Sequence, residues 1–249
     1  MSEQSKSLVF AFVLCLACSL LLTAAATGLK QRQVRNVLVD RHRNILLAVG
    51  LIEEGRHTDA ARVESMYREK IKELWVDSAG AIVPPERRGP GDLPIYVYCE
   101  GESVEAYVIP IDTRGLWGEI NGYLAIDKDG STIRGFTVYS HSETPGLGGE
   151  IERSWFRKKF VGKRITDRQG RFVSISIAKG SVAQVVPEPR RINYVDGISG
   201  ATMTGRFLTS GFRDILRNYE PVAVRFRQGI LNGPESRTGE TNGQAVEEK

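Results

Sequence analysis

The chain has 249 residues, long enough for one domain with a substantial core, and its 34 Lys/Arg against 30 Asp/Glu give a formal charge of +4. The basic residues are spread along the chain, with no aromatic-interleaved basic run and no zinc-ligand spacing, so nothing argues for a nucleic-acid partner. Three cysteines imply no disulfide framework.

Leu8 to Thr27 is an almost uninterrupted apolar run without charge, close to the roughly 20 residues that a bilayer-spanning helix requires. A retained membrane anchor is the leading reading. The alternatives are a cleaved signal peptide, with Lys6 before the run and Ala24-Ala25-Ala26 as the cleavage site, and a weaker lipoprotein signal ending at Cys18. Cys15 and Cys18 have Leu, Ala and Val neighbours, which fits small apolar side chains in a membrane helix better than a redox pair. Lys30, Arg32, Arg35, Arg41 and Arg43 crowd the far side of the run, and by the positive-inside rule they would hold the following domain in the cytoplasm.

Gln31 to Leu51 alternates basic and apolar residues at the spacing of an amphipathic helix, which Gly50 and Gly55 end. Val63, Met66, Tyr67, Ile71 and Leu74 form a second helical stripe, and Pro84 to Gly91 reads as a loop. From Leu93 the period shortens to β-type runs: Ile95–Cys99, Ala106–Ile111, Tyr123–Ile126, Ile133–Tyr139 and Phe172–Ile177, with turns at Asp127–Gly130 and Asp167–Gly170 between several of them. Ile151 to Phe160 reads as a short helix. The predicted class is α+β: an N-terminal transmembrane helix, then one domain with a mainly antiparallel sheet and flanking helices. The expected boundaries are an anchor over 1–28, a juxtamembrane and helical region over 29–92, the folded domain over 93–230, and a polar, disordered tail over 231–249.

Two stretches carry chemistry. In Asp196-Gly-Ile-Ser-Gly-Ala-Thr-Met-Thr204, Gly197, Ser199, Gly200 and Ala201 leave the backbone around Thr202 open, and Phe207, Leu208, Phe212, Ile215, Leu216 and Tyr219 follow at helical spacing. The turn therefore feeds a helix whose N-terminus favours a phosphate nearby. On spacing alone the plainer reading is a Ser/Thr-capped helix start. In His141-Ser-Glu-Thr-Pro-Gly-Leu-Gly-Gly-Glu150, three glycines and Pro145 build a special loop after a strand, with His141, Glu143 and Thr144 facing a ligand or, more plainly, holding the turn by side-chain hydrogen bonds. His42, His57 and His141 lack partners at metal-ligand spacing, so no metal site is expected.

Asp196-Gly-Ile-Ser-Gly-Ala-Thr202 resembles the flavinylation motif of proteins in which a dedicated transferase joins the FMN phosphate to the Thr after Gly-Ala. Most of the chain, to about Pro221, resembles the C subunit of the bacterial Na+-translocating NADH:quinone reductase. The resemblance is carried by Arg43-Asn-Ile-Leu-Leu47, Tyr107-Val-Ile-Pro-Ile111, Gly115-Leu-Trp-Gly118, His141–Ile151 and Ser199–Thr204. It implies covalent FMN on Thr202, with Ser199, Gly200 and Ala201 around the attachment and Leu116, Trp117, Glu143, Thr144 and Leu147 bordering the flavin. Lys163 is a candidate to neutralise the phosphate or the reduced flavin, its alternative being a solvated surface lysine. Thr204 is the rival acceptor. The Gly205-Arg-Phe-Leu208 stretch departs from the family pattern, which usually has a smaller residue than Phe after the motif.

The resemblance further implies an electron-transfer subunit without a catalytic residue of its own, one that does not pump sodium alone. Electrons would arrive from NADH on another subunit through a membrane iron–sulfur centre and leave to a second covalent FMN and riboflavin before quinone. Its partners would be the other subunits, the flavin transferase and membrane lipid. The domain would lie on the periplasmic side of the bacterial inner membrane, against the charge argument; long domains cross regardless of local charge. The absence of a dinucleotide fingerprint agrees with NADH binding elsewhere. The rival readings are a G-type subunit of the related Rnf complex, which shares the flavinylation motif, and a membrane-tethered, non-redox FMN-binding or sensory domain.

Overall fold

The structure is a computed structural model that describes residues 2–56 and 58–231. The expected tail over 231–249 falls outside these residues except for Leu231, and so does His57. Two compact units divide the chain, one ending at Arg41 and the other starting at His42.

Helix α1 runs from Glu3 to Ala48 and is long and apolar enough to cross a membrane by length and composition. Its apolar side chains Leu8, Phe10, Phe12, Leu20, Leu21 and Leu22 are all exposed, as are Cys15 and Cys18. The expected division between an anchor and a separate helix from Gln31 does not occur. Gly28 is an isolated glycine with no Pro or cap beside it, so the helix continues through it at a cost of about 1 kcal/mol. The end comes at Gly50, which takes φ +79°.

Helix α2 (Ala60–Lys70) starts at Asp59, whose side chain accepts the Ala61 N–H, and it stops one residue before Ile71. Ile71 and Leu74 therefore belong to a strand and not to a helical stripe. Strand β1 (Ile71–Val76) pairs with β2 (Ile82–Val83) on one side and with β3 (Leu93–Glu100) on the other. The strand wins because Ile71 to Val76 can pair residue by residue with Leu93 to Tyr98, a gain that local periodicity does not report.

The sheet continues through β4 (Ser103–Arg114), β5 (Glu119–Asp127) and β6 (Ile133–His141), all antiparallel, in the order β2-β1-β3-β4-β5-β6. Ile151 to Phe160 is not one helix but part of a 3-10 turn, the single α-helical turn α3 (Ser154–Arg157) and a second 3-10 turn, with Ile151, Phe156 and Phe160 all in the core. Of the strand expected over Phe172–Ile177, only β7 (Ser176–Ile177) forms. Ser174 takes φ +70°, which breaks the extended run before it. A single helical turn, α4 (Val182–Val185), leads towards β8 (Tyr194–Val195), which pairs parallel with β7.

Helix α5 (Thr202–Arg227) lies across one face of the sheet. Its buried Leu208, Phe212, Leu216, Tyr219, Val222 and Phe226 share one core with Tyr107, Ile109, Ile111, Ile120, Leu124 and Phe136 from the strands. The helix approaches the sheet closely at Gly211, where an added Cβ would fall 2.0 Å from Thr113 Oγ1. Residues 44–49 lie against β6 instead: Asn44 O accepts the Thr137 hydroxyl, Val49 O accepts from Arg134, and a Cβ on Gly135 would meet Ala48 O. Cys99 is buried in β3, as expected of a strand cysteine.

Candidate functional site

The β4–β5 turn and the loop after β6 emerge at the same end of the sheet, because Arg114 pairs with Glu119 and Ile120 with His141. The N-terminus of α5 reaches this end too, since the helix is seated at Thr113. The two stretches singled out in the sequence thus meet in space.

Asp196 fixes the start of the Gly-rich turn. One carboxylate oxygen accepts the Val182 N–H at 2.8 Å and the other the Lys159 ammonium at 3.2 Å. The Val182 N–H first, and then Lys159, hold this carboxyl below its ordinary 3.8. Gly197 N–H donates to Gly180 O, and Ala201 N–H closes the turn on Ile198 O. Gly200 takes φ +75°, and a Cβ there would lie 2.7 Å from Leu147 Cδ2, so Leu147 packs directly over the glycine.

The helix begins without a side-chain cap. Its N-cap is Ala201, so the Ser/Thr cap of the plainer reading is absent and the first-turn N–H groups are not used by a side chain. Thr202, the first helical residue, is exposed, as is Ser199 before it. Beside Thr202 opens a cavity of about 250 Å³, lined by Ala178, Lys179, Gly180, Gly197, Ile198 and Arg206 among others. Lys179 and Arg206 make no ion pair among the described residues, so two cationic side chains and a helix N-terminus converge beside one hydroxyl. Lys163 does not join them: its ammonium donates to Arg191 O at 3.0 Å, and it does not line the cavity.

Glu143 departs from the expectation of a ligand-facing side chain. It is 5% exposed, and both oxygens are engaged within the chain. One accepts the N–H groups of Leu116 at 2.7 Å and Trp117 at 3.1 Å, and the other accepts the Thr204 hydroxyl at 2.5 Å. Thr204 is correspondingly 2% exposed. His141 accepts the Glu143 N–H at Nδ1 and faces Glu152 with Nε2, so it also holds the loop, as the turn-holding alternative had it. Thr144 is exposed, and its carbonyl accepts the Leu147 and Gly149 N–H groups. Leu116, Trp117 and Leu147 are 41%, 69% and 43% exposed, apolar surface left open at this end of the sheet. Among the described residues no His/Cys/Asp/Glu group could hold a metal ion.

Sequence reasoning missed Lys179, Arg206 and the true partners of Glu143. The available signal was Arg206, four residues after Thr202 and hence on the same face of a helix that starts there.

The open helix start, the exposed hydroxyl, the flanking cations and the adjoining apolar surface lie within residues 115–217, which match the FMN-binding domain family and make this a flavin-binding fold. The chain is 35% identical to the C subunit of the Na(+)-translocating NADH-quinone reductase of Yersinia pestis over 91% of its own length and 94% of that protein, and 30% identical to that of Vibrio campbellii over 91% and 97%. Among solved structures it superposes on the corresponding protein from Parabacteroides distasonis with a TM-score of 0.66 at 28% identity, covering 78% of this chain and 96% of that one. NqrC of Shewanella oneidensis, 23% identical with a TM-score of 0.60 over 78% of this chain and 98% of that one, shares the fold. The chain belongs to the family of C subunits of the Na(+)-translocating NADH-quinone reductase.

Proposed function

We propose that this chain is the electron-transfer subunit of a Na+-translocating NADH-quinone reductase and carries FMN as a phosphoester on Thr202. The observation that carries the reading is the contrast between the two candidate hydroxyls. Thr202 is exposed on the uncapped first turn of a 26-residue helix, beside Lys179 and Arg206, whereas Thr204 is buried and donates to Glu143. A phosphodiester anion on Thr202 is favoured by the first-turn N–H groups, the positive end of the helix and the two cations. Gly200 lets Leu147 approach the turn, and Leu116 and Trp117 offer the apolar face that a flavin ring needs.

The bound FMN supplies reversible electron acceptance, and the chain's own residues orient it. Attachment requires an activated donor, a flavin whose phosphate bears a leaving group. The Thr202 oxygen forms the new O–P bond, the bond to the leaving group breaks, and the hydroxyl proton passes to a base on the transferase. Helix α1 is the membrane anchor, and the domain lies on the periplasmic side, where the transferase works. Electrons pass between a membrane iron–sulfur centre and the next flavin of the complex. Similarity to the C subunits along 91% of the chain favours this assembly over an Rnf-type one or a sensory domain.

Intact mass spectrometry of the chain purified from its native membrane under denaturing conditions, with peptide mapping across Asp196–Arg206, tests the proposal. An FMN-sized increment on Thr202 is expected. An unmodified peptide from assembled, active complex refutes the covalent carrier.

A further inference from the structure

Glu143 is a carboxylate removed from water whose two oxygens join three separate segments. Oε1 holds the backbone of the β4–β5 turn at Leu116 and Trp117, Oε2 holds the first turn of α5 at Thr204, and the residue itself sits in the loop after β6. Two glycines admit it. A Cβ on Gly115 would fall 2.4 Å from Oε1, and one on Gly148 would fall 2.5 Å from Oε2 and 2.6 Å from Thr204 Oγ1. The segments are packed around the carboxylate so closely that any side chain at either glycine would displace it. Such a group is costly to bury unless it is fully hydrogen-bonded, and here three donors satisfy it.

We infer that Glu143 and Thr204 are positioning residues that latch the Leu116–Trp117 turn to the first turn of α5, presenting Thr202 as the accessible threonine beside an assembled apolar face. The latch acts in two ways. It draws the Thr204 hydroxyl inward, where it is consumed as a donor, so that modification is directed to the residue two positions earlier. It also fixes the backbone that carries Leu116 and Trp117 relative to Thr202, so that the surface exists before any ligand arrives. The second role is preorganisation: the ordering is done in folding and not at the moment of attachment. The inference rests on the reading of Thr202 as the flavin site, but its physical content, the coupling of Thr204 to two amides of another segment, can be measured without any flavin.

The experiment uses the full chain in detergent, made with and without the flavin transferase. Three variants are compared: Thr204→Val, which removes the donor while keeping the shape, Thr204→Ser, which restores it, and Glu143→Gln, which keeps the shape and removes the charge. In the apo chain, hydrogen exchange at the Leu116 and Trp117 amides is expected to accelerate roughly tenfold in Thr204→Val, the scale set by loss of a hydrogen bond to a charged group. Amides of β4 and β5 deeper in the sheet should keep their rates. With the transferase present, peptide mapping should find Thr202 occupancy reduced several-fold in Thr204→Val, and both effects reversed in Thr204→Ser. Wild-type exchange at the two amides, or wild-type occupancy of Thr202, in Thr204→Val overturns the latch. If Thr204→Val yields no folded chain, Glu143→Gln decides: faster exchange of the same two amides supports the latch, and unchanged exchange overturns it. A wild-type chain without flavin on Thr202 overturns the reading of that residue instead, and the exchange rates then decide the latch alone.

Discussion

Gly211→Ala tests how α5 is seated, because intrinsic propensity and packing predict opposite signs. In a free helix the change would stabilise by about 1 kcal/mol. Here the new Cβ would lie 2.0 Å from Thr113 Oγ1, 2.5 Å from Thr113 Cβ and 2.9 Å from its Cγ2. Rotating the Thr113 side chain clears the oxygen or the methyl but not the Cβ, which is fixed by the β4 backbone. Helix and strand must therefore move apart by about 1 Å to reach an ordinary van der Waals separation. Overpacking of this kind costs roughly 1–3 kcal/mol, and against a well-ordered strand the upper half of that range applies. The net expectation is a loss of about 1–2 kcal/mol, or roughly 2–8 °C in Tm for a domain of this size. Thermal unfolding of the full chain in detergent, followed by near-ultraviolet circular dichroism, measures it. The companion double variant with Thr113→Gly removes all three opposing atoms and should recover the helix propensity as a favourable coupling. A Gly211→Ala chain that melts at or above the wild-type temperature refutes the seating argument.

Reversing the charge of Lys179 and Arg206 together should lower flavin occupancy of Thr202 roughly threefold to tenfold at limiting transferase, and the deficit should shrink with added salt because both side chains are exposed. Equal occupancy at low salt would remove these cations from the phosphate environment. Asp196 should contribute acid-sensitive stability: its carboxyl is held below 3.8 when folded, so its contribution is complete above that value and fades as the pH falls through the lower folded value. The stability difference between wild type and Asp196→Asn should accordingly be constant near neutrality and close progressively below pH 3.8 in urea unfolding; a difference that widens on acidification contradicts the assigned hydrogen bonds.

What could be read from the sequence depended on whether a segment's structure is set locally. The strands from Ile95 to Tyr139 are short continuous apolar runs separated by turns, and they appear with their ends extended by a few residues. Helix α5 was legible from the apolar spacing after Thr202, and Pro221 does not stop it because the residues on either side of it are held against the sheet. Ile71 to Val76 was misread because its apolar positions fit either period, and only pairing with Leu93 to Tyr98 decides between them. Ser174, a non-glycine residue at positive φ, gives no compositional warning that the Phe172 run will break. The site followed the same division. Thr202 and the apolar residues around it are named by their motifs, but the burial of Glu143 depends on Gly115 and Gly148 leaving room for it and on donors arriving from two other segments.

The ionisable groups at this end of the sheet bear on what the site can do. Glu143 has both oxygens occupied by Leu116, Trp117 and Thr204. His141 accepts a backbone N–H at Nδ1 and therefore bears its hydrogen at Nε2, directed at Glu152. Asp196 is divided between Val182 and Lys159. Each of these groups, which could otherwise serve as a general acid or base, is engaged in holding a loop. Enzymes that move protons keep such groups available and tune them; a carrier that only receives and returns electrons gains nothing from them and gains rigidity from using them as struts. On the function proposed above, the surroundings of Thr202 suit a carrier: a fixed frame, an exposed hydroxyl, two flanking cations and an open apolar surface.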